Sequence, residues 1–202
     1  MNRSEQVKHA FNDFTNDYDN FMEKTKHNNA KLKTLEKLKS RITGKVLDVA
    51  TGTGDVALWI SKNTFSSVVG IDFSEKMIEH AKTKGDNIDF LVQDIENLKF
   101  NNNEFDTVIC CLAICWFGNR EKCISEMKRV CKSEGNIIFL EEDGNIKSVD
   151  NKTDGIMKTF ENLENFVSVD KIKKIVDLEL IEQTPIEPVD ENHGLVGLVF
   201  RK

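Results

Sequence analysis

The 202-residue sequence predicts an α/β fold, a doubly wound sheet of mainly parallel strands with helices on both faces. Three observations point there. Short apolar runs, of strand length, alternate with stretches whose apolar residues step by three and four. The first run, KVLDVA (Lys45 to Ala50), ends in a glycine cluster, as a buried parallel strand entering a helix would. Five such runs are joined mainly by helical crossovers, and right-handed crossovers close them into one sheet.

Taken in order, Val7, Ala10, Phe11, Phe14, Tyr18 and Phe21 share one stripe of a first helix. A second helix carries Leu32, Leu35 and Leu38 on one side and runs to Arg41, where Gly44 ends it. After the first strand, helix returns from Val56 to Lys62. SVVGID (Ser67 to Asp72) reads as the second strand. Ser74 can then N-cap a helix through Met77, Ile78 and Ala81 that stops at Gly85. IDFLVQD (Ile88 to Asp94) and FDTVICC (Phe105 to Cys111) are strands three and four, with the turn-forming Asn101 to Asn103 between them. Cys123, Ile124, Met127, Val130 and Cys131 form the apolar face of the next helix, and NIIFLE (Asn136 to Glu141) is the fifth strand. Helices are expected around Ile156, Phe160 and Leu163 and around Ile172, Ile175 and Val176, before two strand-like runs, DLELIEQ and LVGLVFRK.

The length suits a single domain, 1–202, with cap helices over 1–42, a core over 43–142, and acceptor-side helices and a C-terminal hairpin over 143–202. Against 34 acidic residues stand 28 basic ones, a formal charge of −6, which disfavours a nucleic-acid binder. The longest apolar run, Val108 to Phe117, is about half of the roughly 20 residues a membrane helix needs. Residues 1–20 resemble no secretory or transit peptide, so the cytosol is the expected address. Cys110, Cys111, Cys115, Cys123 and Cys131 are odd in number, crowded and without a C-x-x-C pair or a nearby histidine. Reduced, mostly buried thiols are expected, and no metal site.

The loop DVATGTGD carries the chemistry. Ala50, Gly52 and Gly54 leave no bulky side chain to hold a ligand away, and backbone N–H groups there open a helix. Two ligand classes use such a loop: a dinucleotide, or a nucleoside with an amino-acid tail. Gly52-x-Gly54-x-x-Ala57 satisfies the dinucleotide fingerprint, and Asp72 falls near the spacing expected of a ribose-binding acid. Asp48 favours the second class, because a carboxylate just before the glycines repels a pyrophosphate but orients an ammonium. Asp94, at the third strand end, can accept from an adenine amine or cap the next turn.

The stretches VLDVATGTGDVALWISK, VVGIDFSEKMIEHAK, FLVQDIENLKFNNNEFDTVICCLAICWF and EMKRVCKSEGNIIFLEE resemble, in this order, a class I S-adenosylmethionine-dependent methyltransferase. Within that superfamily the chain is most similar to the ubiquinone/menaquinone-biosynthesis C-methyltransferase type, which also carries a helix like AFNDFTNDYD before the sheet. The resemblance implies a Rossmann-like seven-stranded sheet of order 3-2-1-4-5-7-6, whose antiparallel last strand, Leu195 to Arg201, inserts beside the fifth. It implies S-adenosylmethionine as cofactor, S-adenosylhomocysteine as product and a small molecule as methyl acceptor, the chain being a monomer or homodimer. It assigns Val49, Ala50, Thr51, Gly52 and Gly54 to the methionine tail, Asp48 to its amino end and Asp72 to the ribose. Phe73 and Met77 would pack near the adenine, Asp94 and Ile95 would recognise its edge, Cys111 would contact the methionine through backbone, and Tyr18 would close the site from above.

Methyl transfer is an in-line displacement at a sulfonium-bound carbon, so placing the nucleophile is the protein's main task. A base is needed only for acceptors that must lose a proton. Several relatives carry a histidine where this chain has Cys115, so the resemblance assigns no base here. Candidates on the same sheet face are Glu141, Glu142, Asp143 and His193, with Tyr18 beside them and Cys115 disfavoured by its apolar run. Two alternatives stay open: a methyltransferase-like protein that binds cofactor without turnover, and an NAD-linked oxidoreductase.

Overall fold

The computed structural model of the chain describes residues 3–85, 87–144, 167–191 and 193–202. Its centre is one sheet, β3-β2-β1-β4-β5-β8-β6, with a short β7 pairing β8. The strands are β1 (Lys45–Val49), β2 (Ser67–Asp72), β3 (Asp89–Val92), β4 (Phe105–Cys111), β5 (Cys131–Gly144), β6 (Glu179–Gln183), β7 (Glu187–Pro188) and β8 (His193–Arg201). β1 pairs in parallel with β2 and β4, β2 with β3, and β4 with β5, while β8 runs antiparallel between β5 and β6. The expected order is therefore observed, with β8 as its seventh strand and the two-residue β7 as an addition that the sequence pattern does not signal.

The helices are α1 (Arg3–Lys24), α2 (His27–Leu38), α3 (Asp55–Asn63), α4 (Glu75–Lys84), α5 (Arg120–Val130) and α6 (Val169–Val176). Alternation along β1 divides the core: Leu47 and Val49 face Cys123, Ile124 and Met127 of α5 and Ile172 of α6, whereas Val46 faces Leu35 of α2, Ile60 of α3 and Ile78 of α4. At the third strand the expectation was too long. β3 is a four-residue edge strand with Leu91 and Val92 exposed. β5 is longer than NIIFLE, because Cys131 leaves α5 and starts the strand.

In α2 the inward face is Ala30, Lys31, Thr34, Leu35 and Leu38, and Leu32 is exposed. The leucine stripe expected for this helix is thus rotated, which brings a lysine inward. The expected helix around Ile156, Phe160 and Leu163 lies outside the described residues. Among the described residues no helix is long and apolar enough to cross a membrane.

In the β3–β4 connection one side chain gathers several bonds. Arg129 of α5 donates to the carbonyls of Leu98 (3.0 Å) and Phe100 (2.8 Å), to Asn102 Oδ1 (2.9 Å) and to Glu126 (2.7 and 2.8 Å). Arg129→Ala is expected to cost about 2 kcal/mol, measured by urea unfolding, because it strips charged donors from two backbone carbonyls and leaves Glu126 without its cation. A loss below about 0.5 kcal/mol would mark the network as surface decoration.

Candidate active site

The polypeptide leaves β1 through three left-handed residues, Ala50 (φ 54°), Gly52 (φ 56°) and Gly54 (φ 85°), and enters α3 at Asp55. Thr51 N–H donates to the Ile71 carbonyl (2.8 Å) and Gly54 N–H to the Thr51 carbonyl (2.9 Å), so the loop is tied to β2 and to itself. The two glycines do different work. A Cβ on Gly54 would strike Phe90 at 2.8 Å, so this glycine admits the Phe90 ring beneath the loop. A Cβ on Gly52 would meet nothing nearer than Tyr18 Cε1 at 3.9 Å, so the loop backbone is open on that side. Of the small residues read from the sequence as clearing space for a ligand, Gly54 instead clears space for a core phenylalanine.

Asp72 ends β2 beside this loop. One carboxylate oxygen accepts Gly52 N–H (2.9 Å) and the other Ser74 N–H (2.9 Å), which joins the glycine loop to the start of α4. Burial, opposed by these bonds, raises its pKa to about 6. With Phe73 N–H also bonding it, the carboxylate keeps about one acceptor site for a further donor. Asp48, one strand over and 1% exposed, accepts the Thr51 hydroxyl (2.5 Å). Burial lifts it to about 7, against the Thr51 hydrogen bond and the charge of Lys31.

Lys31 was not legible as a site residue. It is 4% exposed, reaches Asp55 Oδ2 (3.3 Å), and lines one cavity with Asp48, Ala50, Thr51, Thr53, Val56, Cys111, Leu112, Tyr18 and Met22. Lys31, Thr34, Leu35 and Leu38 keep helical spacing, and a lysine replacing an apolar residue on that stripe was the available signal. The cavity is small, about 20 Å3. That is room for about one water molecule.

The roof of the cavity is α1. Tyr18 stands over Gly52 with its ring edge to Phe14 (6.3 Å), and Phe11 packs edge-on against Trp116 (5.4 Å). Asp19 accepts the Thr53 hydroxyl (2.5 Å) and pairs with Lys84 (2.5 Å) and His80 (3.2 Å), while Ser74 Oγ donates to Asn12 (2.6 Å). Burial pushes the Tyr18 hydroxyl above its ordinary value, so it keeps its proton at neutral pH.

The remaining predicted residues divide. Cys111 lines the cavity, with its thiol pushed up by burial. Val49 is buried with its side chain toward α5, so only its backbone faces the loop. Phe73 is half-buried and Met77 is 1% exposed. Asp94 is exposed and caps the following turn by accepting Glu96 N–H (2.9 Å), and Ile95 packs on the core. Glu141 is buried and accepts N–H groups of Ala113 (3.2 Å) and Ile114 (3.3 Å), and burial raises it to about 8. It orders the loop after β4 from beneath. Cys115 lies in that loop with its thiol also pushed up by burial. Asp143, the last of the acidic candidates, is half-buried on β5 between Glu142 and Gly144. His193 and Glu142 meet at the end of the β5–β8 pair, together with His27 of α2.

Comparison with known proteins extends this geometry. Residues 47–139 match the family described as methyltransferase domain. The "Ubiquinone/menaquinone biosynthesis C-methyltransferase UbiE" of Geotalea daltonii is 39% identical over 115 residues, 53% of this chain and 49% of that protein. The chain thus spans about half the length of the ubiquinone/menaquinone relative it matches. A phosphatidylethanolamine N-methyltransferase of Cereibacter sphaeroides is 29% identical over 157 residues, 72% of this chain and 75% of that protein. Among solved structures, the Haemonchus contortus phosphoethanolamine N-methyltransferase 2 in complex with S-adenosyl-L-methionine superposes with a TM-score of 0.68 at 18% identity. That superposition covers 86% of this chain and 52% of the other, and establishes a shared fold.

Proposed function

We infer that this chain, which carries a class I S-adenosylmethionine-dependent methyltransferase domain most similar to the ubiquinone/menaquinone C-methyltransferase type, transfers a methyl group from S-adenosylmethionine to a small-molecule acceptor. The observation that carries the reading is the cleft itself: Asp48 and Lys31, of opposite charge, line one cavity with Asp55, which Lys31 reaches at 3.3 Å, beside the open face of Gly52. A zwitterionic amino-acid tail complements that pair, its ammonium to Asp48 and its carboxylate to Lys31. A pyrophosphate complements only half of it, which weighs against the dinucleotide reading.

The residues fit the cofactor in four places. Asp48 and Lys31 would hold the tail, Asp72 the ribose through the acceptor site left by Gly52, Phe73 and Ser74, and Asp94 with Ile95 the adenine edge. Tyr18 and Met22 close the roof and keep water from the tail. A cavity of about 20 Å3 is far below the size of a nucleoside, so α1 must move outward for ligand to enter and settle again over it. When bound, S-adenosylmethionine supplies a methyl group already activated by a sulfonium. The chain's own task is then to hold donor and acceptor in line and dry, a task worth several kcal/mol without any acid or base. Glu141 contributes by fixing the loop of Ala113 and Ile114, where the acceptor side begins. C-methylating and N-methylating proteins both appear among the relatives, so the acceptor atom is left to experiment.

S-adenosylmethionine or S-adenosylhomocysteine at a hundredfold excess over Kd is expected to raise Tm by about 5–10 °C, and NAD to leave it unchanged. A panel of quinol precursors, amines, thiols and carboxylates, assayed for S-adenosylhomocysteine release, then identifies the acceptor class. A Tm shift with NAD alone would overturn the reading, and cofactor binding with no turnover on any class would reduce it to binding.

A further inference from the structure

We propose that His27, Glu142 and His193 form a binding site for one divalent transition-metal ion of the Zn2+ type, at the rim of the sheet beside the cofactor cleft. The three come from separate elements: the first turn of α2, the end of β5 and the first residue of β8. Their ligand atoms all lie within 4.8 Å of one another. His27 Nε2 is 2.7 Å and His193 Nε2 3.8 Å from the same oxygen, Glu142 Oε1. A tetrahedral ion with bonds of about 2.0–2.2 Å sets its ligands about 3.3 Å apart, and the two measured separations straddle that value.

The proton positions make the case. His27 Nδ1 lies 2.8 Å from Thr25 Oγ1, and the Thr25 hydroxyl donates to the Phe21 carbonyl (2.8 Å). With its hydroxyl proton on Phe21, the threonine oxygen can accept His27 Nδ1–H. Likewise His193 Nδ1–H donates to Asp190 Oδ1 (2.9 Å). With Nδ1 protonated in both rings, each neutral imidazole turns an Nε2 lone pair toward a carboxylate that also offers only lone pairs. With those tautomers three acceptors converge on one point, and a positive charge between them relieves all three. A metal ion satisfies all three at once, whereas a single proton satisfies one pair. Histidines that carry metal have their other nitrogen fixed by a carboxylate or another oxygen acceptor, and Asp190 and Thr25 stand in those places. Both imidazoles are 15% exposed and Glu142 26%, so ions and water reach the site. Two nitrogens and one carboxylate leave a fourth position open, as in metal sites that take a ligand from solution.

The site differs in residues and chemistry from the cofactor cleft and stands or falls separately. The test uses the full chain, dialysed against chelator and titrated with ZnCl2 by calorimetry and with CoCl2 by visible absorption. One equivalent with a micromolar Kd and a Co2+ spectrum of four-coordinate, nitrogen-containing character is expected. His193→Gln and Glu142→Gln should each weaken Zn2+ at least a hundredfold, and Asp190→Asn about tenfold through loss of the orienting bond. The metal-free Tm and the S-adenosylmethionine shift should change little, which shows that these variants fold. No stoichiometric binding by the parent chain, or equal binding by folded His193→Gln and Glu142→Gln, overturns the proposal and leaves a protonated histidine as the charge at that point.

Discussion

Asp72→Asn is expected to weaken S-adenosylmethionine binding by about a hundredfold, read by calorimetry, while the melting transition falls only slightly. The carboxylate has two duties, and the amide keeps part of one of them. Its oxygen can still accept Gly52 N–H or Ser74 N–H, so the turn survives with one bond lost. A ribose whose hydroxyls donated to a buried charge loses a charge-assisted pair, the stronger kind of hydrogen bond. Asp72→Ala should bind as poorly and in addition lose about 2 kcal/mol of stability, because both N–H groups are then left without an acceptor. Unchanged affinity in the asparagine variant would make Asp72 a turn-former alone.

The second large effect is on pH. Burial raises Asp48 to about 7, Asp72 to about 6 and Glu141 to about 8. A group whose folded pKa exceeds its unfolded value stabilises fully below the unfolded pKa and loses that contribution as pH rises through the folded one. All three acids therefore act in the same direction, and the ligand-free chain should lose stability steadily from about pH 5 to pH 8. Below that window the trend reverses, since Asp19, Glu75, Glu104, Asp106 and Glu126 are held low by partners, with burial opposing. These stabilise only above their unfolded values and are lost in acid.

Asp48→Asn keeps an acceptor for Thr51 and removes the buried charge. Its Tm at pH 8 is expected to exceed the parent's by about 5 °C, with no gain at pH 5, and its cofactor affinity to fall at least tenfold. In the parent, an ammonium seated beside Asp48 favours the ionised form. Binding near pH 6 should then release close to one proton, visible as a dependence of the calorimetric heat on buffer ionisation. Heats independent of buffer would place the ligand's ammonium elsewhere.

Several site residues were legible because local chemistry leaves a mark in sequence. The glycine loop shows itself through residues that adopt positive φ, and Asp72 and Asp94 through their places at strand ends, where the structure finds them accepting N–H groups of the turns that follow. Lys31 was not legible in the same way. Which face of α2 turns inward depends on how the helix rolls on β8, and Gly197 decides that, since a Cβ there would strike Leu38 at 2.5 Å. The second role of Gly54 was hidden for a related reason, because the ring that a Cβ there would strike, Phe90, belongs to β3.

The strand order and the antiparallel last strand were implied by the family resemblance, whereas the strands themselves, the helices between them and the glycine loop follow from periodicity and backbone preference, which act between near neighbours in the chain. Those properties the amino-acid sequence determined unaided. The placing of Asp48 and Lys31 in one cavity, the standing of Tyr18 over Gly52 and the meeting of His27, Glu142 and His193 were decided by tertiary structure alone. His27 and Glu142 are 115 residues apart, and their contact depends on how α2 packs against the β5–β8 pair. Packing of that kind is a property of the whole core, because each side chain's direction depends on the volumes of all the others.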